Sequence, residues 1–396
     1  MKVVWGVFFL VLSVSSAFSQ PYKSSGELLW EIDNGKNKSY LWGTLHSNSK
    51  DLFQFPDSVF WAFSKCQKVA VEMDVFDYFL EKEPIIEDRN VLLDKRGKMY
   101  TSSDEPSPTF YGTEDGMPQF MDAFFQEEAE RAGKTILALE SPDLQTQALG
   151  STSLVDLGIY GGASGQELLH KLYLEGKISV IDQLLRARFS RQQQGYIDLI
   201  EKRNERISEK VLQELKTNTV FCAVGAAHLY GEKGIVHLLR LKGCTVRRMQ
   251  LTTVNSTSTK GFPTQRKFEY YNSFEGTVVK AIFPGIPRAI PSGVVFKELG
   301  QGNTYKIQWQ PRDTTLTLLE YAEILMAPPP NCPYTLGVLD DGTQYVQGLS
   351  DAYPDRLAWK RILMNEQHIA ILTCQGGNKM MNSNRPNLFF NNVVLE

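Results

Sequence analysis

The 396 residues exceed one typical domain and accommodate two. With 42% hydrophobic and 22% charged residues, the composition excludes general disorder. A net charge of −3, with no basic stripe interleaved with aromatics, gives no general attraction to nucleic acid, and none is expected as a partner.

Lys2 precedes an apolar run over residues 3–14, too short to span a bilayer as an ordinary helix. Ala17-Phe18-Ser19 places small residues at the usual cleavage positions. Residues 1–19 are therefore expected to be a signal peptide, cut before Gln20. The mature chain is expected to be exported, periplasmic or secreted, and soluble. Residues 27–32 read as a strand, Asn34-Gly35 as a hairpin turn, and residues 39–42 as the return strand. That hairpin delivers Gly43-Thr44-Leu45-His46. A helix follows over 56–65, then an apolar strand over 68–74 with Glu72 and Asp74 on one side. An acid inside an apolar strand is costly unless it is paired or bound to a cation.

Residues 77–107 are polar and give no clear assignment. A helix is expected over 120–132 and a strand over 134–139, running into Glu140. Ser141-Pro142 breaks it before a helix beginning over 143–149. Residues 161–165 read as a flexible glycine-rich loop, and 165–215 as mainly helical. Within the latter, 196–211 form a charged amphipathic helix containing Arg203-Asn204. The run 219–224 is short, apolar and β-prone, as a fully buried strand should be. It ends in Gly225-Ala226-Ala227-His228, a second Gly-x-x-His. A helix over 235–242 and a strand over 245–249 complete a first domain, 20–250.

Residues 251–265 are rich in Ser, Thr and Asn and read as a linker. Beyond it, residues 266–396 read as an accessory α+β domain with an antiparallel sheet. Its strands are expected over 277–283, 304–310 and 335–338. A helix is expected over 314–326, stopped by Pro328-Pro329-Pro330. The closing meander spans 359–364, 368–373 and 388–394, with 375–386 as a long hairpin loop. None of the five cysteines forms a C-x-x-C pair, which disfavours a zinc–thiolate site. Export permits a Cys332–Cys374 disulfide, although simple buried thiols are the preferred reading.

The chemistry gathers on His46, Glu72, Glu140 and His228, each expected at or just beyond a strand's C-terminal end, where open α/β sheets place their ligands. Two imidazoles with one or two carboxylates suit a divalent transition metal such as Mn, Co, Zn or Fe. Such an ion lowers the pKa of bound water, and a second carboxylate can manage the proton. The competing structural reading has the histidines hydrogen-bonded at turns and the acids paired with Arg203. His170 reads as a surface or packing residue, His237 as core, and His368 is unassigned. No G-x-S-x-G elbow, phosphate loop or dinucleotide fingerprint is present.

Leu41-Trp42-Gly43-Thr44-Leu45-His46, Val71-Glu72-Met73-Asp74, Leu139-Glu140 with Gln145, Arg203-Asn204 and Ala223–Leu229 around His228 together resemble the TraB/GumN family, whose animal relatives are the Tiki proteases. Asp122 with Ala129, then Gly133-Lys134, also resembles the stretch before the family's Leu-Glu. The likeness covers about residues 27–249. It implies an α/β fold with a mixed sheet in two related halves, each contributing a Gly-x-x-His. It also implies a metal-dependent peptidase of peptide or protein substrates, supported in Tiki members by manganese or cobalt. By position His46 and His228 become metal ligands, Glu72 a ligand or general base, and Glu140 a second acid. Arg203 would orient a carboxylate or stabilise an oxyanion, and Asn204 would support packing or a polar network. Residues 278–284 with 387–390 faintly resemble PsbP-like α+β modules, which implies a role in binding a partner, substrate or cell-envelope component. The alternatives are a hydrolase of another ester or amide, or a non-catalytic metal-, haem- or ligand-binding envelope protein.

Overall fold

Asn34-Gly35 closes the first hairpin, between β1 (Leu29–Asp33) and β2 (Lys38–Thr44). Gly35 sits at φ +82°, a conformation open to glycine. The Asn34 side chain accepts from the Lys36 and Asn37 amides at 3.0 and 2.8 Å. The computed structural model describes residues 21–47, 49–77, 91–93, 99–101, 121–141, 163–190, 193–253, 267–274, 276–329, 331–351 and 357–396. The expected signal peptide, the helix beginning over 143–149 with Gln145, and linker residues 254–265 lie outside them.

After β2 come α1 (Asp57–Lys65), β3 (Lys68–Val71) and a small ribbon of β4 (Val91–Leu93) and β5 (Met99–Thr101). Then follow α2 (Met121–Arg131), β6 (Thr135–Ala138), α3 (Ala163–Leu174) and α4 (Ile178–Arg188). Ala163 to Gly165 thus open α3 instead of belonging to a loop. The expected amphipathic helix around Arg203 is built in three parts. They are α5 (Gln193–Tyr196), a π-helical turn over Ile197–Glu201, and α6 (Lys202–Glu214). β7 (Val220–Gly225), a 3-10 turn over Ala226–His228, α7 (Ile235–Leu241) and β8 (Thr245–Arg248) complete the first region.

These strands form one mixed sheet in the order β6-β3-β7-β2-β1-β8. β6, β3, β7 and β2 run parallel, whereas β1 is antiparallel to both of its neighbours. The central strand β7 is buried from Val220 through Val224, as its unbroken apolar run requires. Phe221 packs 5.5 Å from Phe63 and 5.2 Å from Phe125, joining α1 and α2 to the sheet. Each such buried aromatic contributes about 1.5–3 kcal/mol. Leu251 is buried and Thr252 exchanges hydrogen bonds with Ser58, so the start of the expected linker packs on this region.

The C-terminal region is antiparallel. It contains β9 (Phe268–Phe274), β10 (Thr277–Phe283), β11 (Arg288–Ile290), β12 (Gly293–Glu298) and β13 (Asn303–Pro311). Next come α8 (Leu318–Met326), β14 (Thr335–Val338), β15 (Gln344–Ser350), β16 (Ala358–Met364) and β17 (His368–Gln375). The chain ends with α9 (Asn378–Met381), α10 (Arg385–Phe390) and β18 (Val394–Leu395). One sheet has the order β11-β12-β13-β17-β16-β15-β14, and a smaller one β18-β10-β9. Thr317 caps α8 in a reciprocal capping box with Glu320.

Two expectations for this region fail. The stretch expected as a hairpin loop holds α9, and the stretch expected as a strand from Leu388 holds the end of α10. Pro386 is preorganised for the first helical turn, and Phe389 and Phe390 are buried from a helix. The likeness to PsbP-like modules loses half its support with that strand. All five cysteines are free thiols, Cys332 and Cys374 included. No helix among the described residues is long and apolar enough to cross a membrane.

Candidate metal centre at the carboxyl edge of the sheet

The two Gly-x-x-His turns are neighbours. β2 and β7 pair in parallel, with Gly43 opposite Val224 and Thr44 opposite Gly225. Both glycines are narrow passages. A Cβ on Gly43 would fall 2.7 Å from Leu229 Cδ1, and one on Gly225 would fall 3.0 Å from Glu72 Oε1. The motif thus lets the second turn lie against the first, and lets a carboxylate approach the strand end.

Glu72 follows β3 by one residue and is buried. Its Oε1 accepts the Gly225 N–H at 2.6 Å, and its Oε2 accepts Arg203 Nη2 at 2.6 Å. Burial pushes its carboxyl up, but His228, Arg203, His46 and the Gly225 N–H together hold it well below the usual carboxylate range. The parallel ladder continues past the strands, with the Glu140 N–H donating to the Glu72 carbonyl at 2.7 Å. The Glu140 side chain accepts Arg203 Nε at 2.7 Å and lies 3.4 Å from Arg206 Nη2. Arg203 therefore links two buried acids. Its own carrier, α6, starts directly after the π-helical turn, a feature frequent at functional sites. Asp74, expected beside Glu72, turns away instead, because the strand ends at Val71.

His228 is buried. The Asn204 amide nitrogen donates to the Lys233 carbonyl at 2.8 Å, which turns its Oδ1 to His228 Nδ1 at 2.6 Å. An acceptor there assigns the proton to Nδ1 and leaves a lone pair on Nε2, 3.8 Å from Glu72 Oε1. Burial draws its pKa down to about 4, against the pull of the Glu72 charge, so the ring is neutral at pH 7.

His46 lies two residues beyond β2, with 55% of its side chain exposed. Its Nε2 is 3.1 Å from Asp122 Oδ2. Asp122 is buried in the first turn of α2 and accepts the Thr44 hydroxyl at 3.1 Å. Desolvation lowers the His46 pKa, but the Asp122 hydrogen bond and the charges of Asp122 and Glu72 outweigh it and hold the value at about 9. One donor atom from each of His46, Glu72 and Asp122 lies within 4.8 Å of the other two. One imidazole and two carboxylates form a donor set that fits a divalent transition ion.

The structure thus brings His46 and Glu72 together, and joins Glu72 to Arg203, Glu140 and His228. His228 adjoins the three-donor cluster through Glu72 and is not one of its members. Asp122 completes the cluster, and the bottom-up reading of the sequence assigned it no role. Of the other histidines, His170 pairs with Asp51 at 2.7 Å. His368 Nδ1 meets the Thr277 hydroxyl at 2.6 Å in the interior. His237 is half-buried and lines a surface groove with Trp30 and Tyr230.

The fold and this edge define a mixed α/β protein with an imidazole–carboxylate site. The chain belongs to the TraB/PrgY/gumN family, whose family model matches residues 28–105 and 107–248. A comparison with curated protein sequences found no match.

Proposed function

We propose that this protein is a metal-dependent hydrolase, and that its substrates are peptides or proteins. The observation that carries the reading is the meeting of His46, Glu72 and Asp122 donors within 4.8 Å at the carboxyl edge of the sheet. These three residues would hold a divalent ion such as Mn, Co, Zn or Fe. When bound, that ion supplies Lewis acidity for a carbonyl and acidifies water.

The chain's own groups have separate tasks in this reading. His228 is neutral, and its Nε2 lone pair faces Glu72, so it can accept a proton during attack on the carbonyl. Arg203 keeps Glu72 ionised and aimed. Both oxygens of Glu140 face arginines, so it positions Arg203 and serves less well as a proton carrier. Export as a soluble protein, read from residues 1–19, belongs to the same proposal.

The test has two arms. Metal content is measured by mass spectrometry on wild-type protein and on a His46→Ala/Glu72→Gln/Asp122→Asn variant, after equilibration with Mn or Co. A peptide library is then digested with and without the metal. Metal uptake lost in the variant, with cleavage that needs both metal and His228, supports the reading. Equal metal in both proteins would remove the proposed centre. Uptake without cleavage would favour a binding protein or a hydrolase of another ester or amide.

A further inference from the structure

The chain leaving Glu72 enters the other region of the protein. Val75 and Phe76 are 1% and 0% exposed, and they belong to the hydrophobic core formed by Phe283, Phe296, Tyr305 and Phe389. Arg288, on β11, places its guanidinium 4.4 Å from the centre of the Phe76 ring. Its Nη1 donates to Asp74 Oδ2 at 2.7 Å and to Asp77 Oδ1 at 2.5 Å, and its Nη2 to Glu130 Oε1 at 2.8 Å. Asp74 and Asp77 lie just downstream of Glu72. Glu130 lies on α2, the helix that carries Asp122 in its first turn.

Two more links tie the same pieces. Gln126 of α2 accepts the Val75 N–H at 2.9 Å and donates to Asp74 Oδ1 at 2.7 Å. One turn before Glu130 on α2, Glu127 accepts the Gly300 N–H of the C-terminal region at 2.5 Å.

We propose that the C-terminal region is a buttress for the candidate metal centre, and that Arg288 is the positioning residue that fixes Glu72 relative to Asp122. The physical reason is charge and tolerance. Asp74, Asp77 and Glu130 converge on one guanidinium. Without it, the Asp74 and Asp77 carboxylates and the buried Glu130 carboxyl lose their shared donor, and with it the tie between the 72–77 segment and α2. A binding constellation holds a ligand tightly only when its groups stay within about 0.5 Å of the productive geometry. Glu72 and Asp122 stand on the two pieces that Arg288 clamps. The inference rests on the metal reading for its consequence, although the clamp itself can be tested in metal-free protein.

The experiment uses the full chain as wild type, Arg288→Ala, Arg288→Lys and, as a surface control, Lys280→Ala. In metal-free protein, hydrogen exchange is followed at the Gly225 amide, whose acceptor is Glu72, and at the Phe221 and Cys222 amides within β7. Cobalt(II) affinity and its visible spectrum are measured on the same samples. Arg288→Ala should speed Gly225 exchange at least tenfold relative to Phe221 and Cys222, and weaken cobalt binding at least tenfold with an altered spectrum. Arg288→Lys should recover part of each effect, and Lys280→Ala should match wild type. Unchanged relative exchange at Gly225 in Arg288→Ala would overturn the buttress. Exchange that rises equally at all three amides would overturn it too, since that marks general loosening. If the wild type takes up no cobalt, the metal reading falls and the exchange result alone decides the buttress.

Discussion

Arg203 donates to Glu72 at 2.6 Å with both side chains about 95% buried, so each compensates the other's buried charge. Arg203 also contacts Glu140, so one guanidinium bridges two interior carboxylates. Removing one partner of a buried pair leaves an uncompensated charge and costs about 3–5 kcal/mol. Arg203→Ala should therefore lower unfolding stability by roughly that amount at pH 7. Arg203→Lys should lose less stability but also lose the forked contact to both acids. Denaturant unfolding of the metal-free variants checks this. A loss below about 1 kcal/mol for the alanine variant would contradict that compensation.

Gly225 tests the site without touching a charged group. Its backbone, at φ −51° and ψ 133°, suits any residue, so the demand for glycine is steric. A methyl there meets Glu72 Oε1 at 3.0 Å and His228 Cδ2 at 3.4 Å. Gly225→Ala should displace the carboxylate and weaken metal binding by about 10- to 100-fold, as loss of a supporting contact does. The stability change should stay within about 1–3 kcal/mol. Isothermal titration with Mn or Co, beside a thermal melt, separates the two. Full metal affinity in a folded alanine variant would show that Glu72 does not need its present position.

His228 gives a pH signature in metal-free protein. Its folded pKa of about 4 lies below the ordinary 6.5, so the folded state resists protonation. That contribution to stability is present above pH 6.5 and is lost as pH falls toward 4, by about 3 kcal/mol in all. Nitrogen chemical shifts of the ring should show a neutral Nδ1–H form at pH 7. Asn204→Asp puts a carboxylate on Nδ1 and should raise the pKa. A wild-type ring that titrates near 6.5 would refute the assignment.

The two Gly-x-x-His turns were legible because each follows a short apolar strand, and parallel strands bring their ends to one edge. Glu72 and Glu140 were legible for the same reason, as acids at the ends of apolar runs. Asp122 carries no such mark. An acid in the first turn of a helix is favoured by the helix dipole alone, and its meeting with His46 depends on tertiary packing. Arg288 is equally silent, one arginine in a short strand whose meaning comes from Asp74, Asp77 and Glu130. The misread helix α10 has a simpler cause. A short run of apolar residues does not separate strand from helix by periodicity.

Glu130 and Glu127 place a second pH dependence where the two regions meet, with the opposite sign to that of His228. Burial pushes Glu130 up to about 8, against Arg288 and Gln126 and with help from the Asp74 charge. Burial likewise lifts Glu127 to about 7, against Arg131 and the Gly300 N–H. Both carboxyls hold a proton more tightly folded than unfolded. Their contribution to stability is therefore fully present below about pH 4.5 and is lost as pH rises through 7 and 8. For Glu130 the loss is on the order of a few kcal/mol. Glutamine keeps an oxygen for Arg288 without the titrating proton. Glu130→Gln should match the wild type at pH 5 and exceed its stability by about 2 kcal/mol or more at pH 8.5. Urea unfolding across that range measures the difference. A gap that stays constant with pH would mean that Glu130 is ionised throughout and that the Arg288 contact is a full ion pair at pH 5.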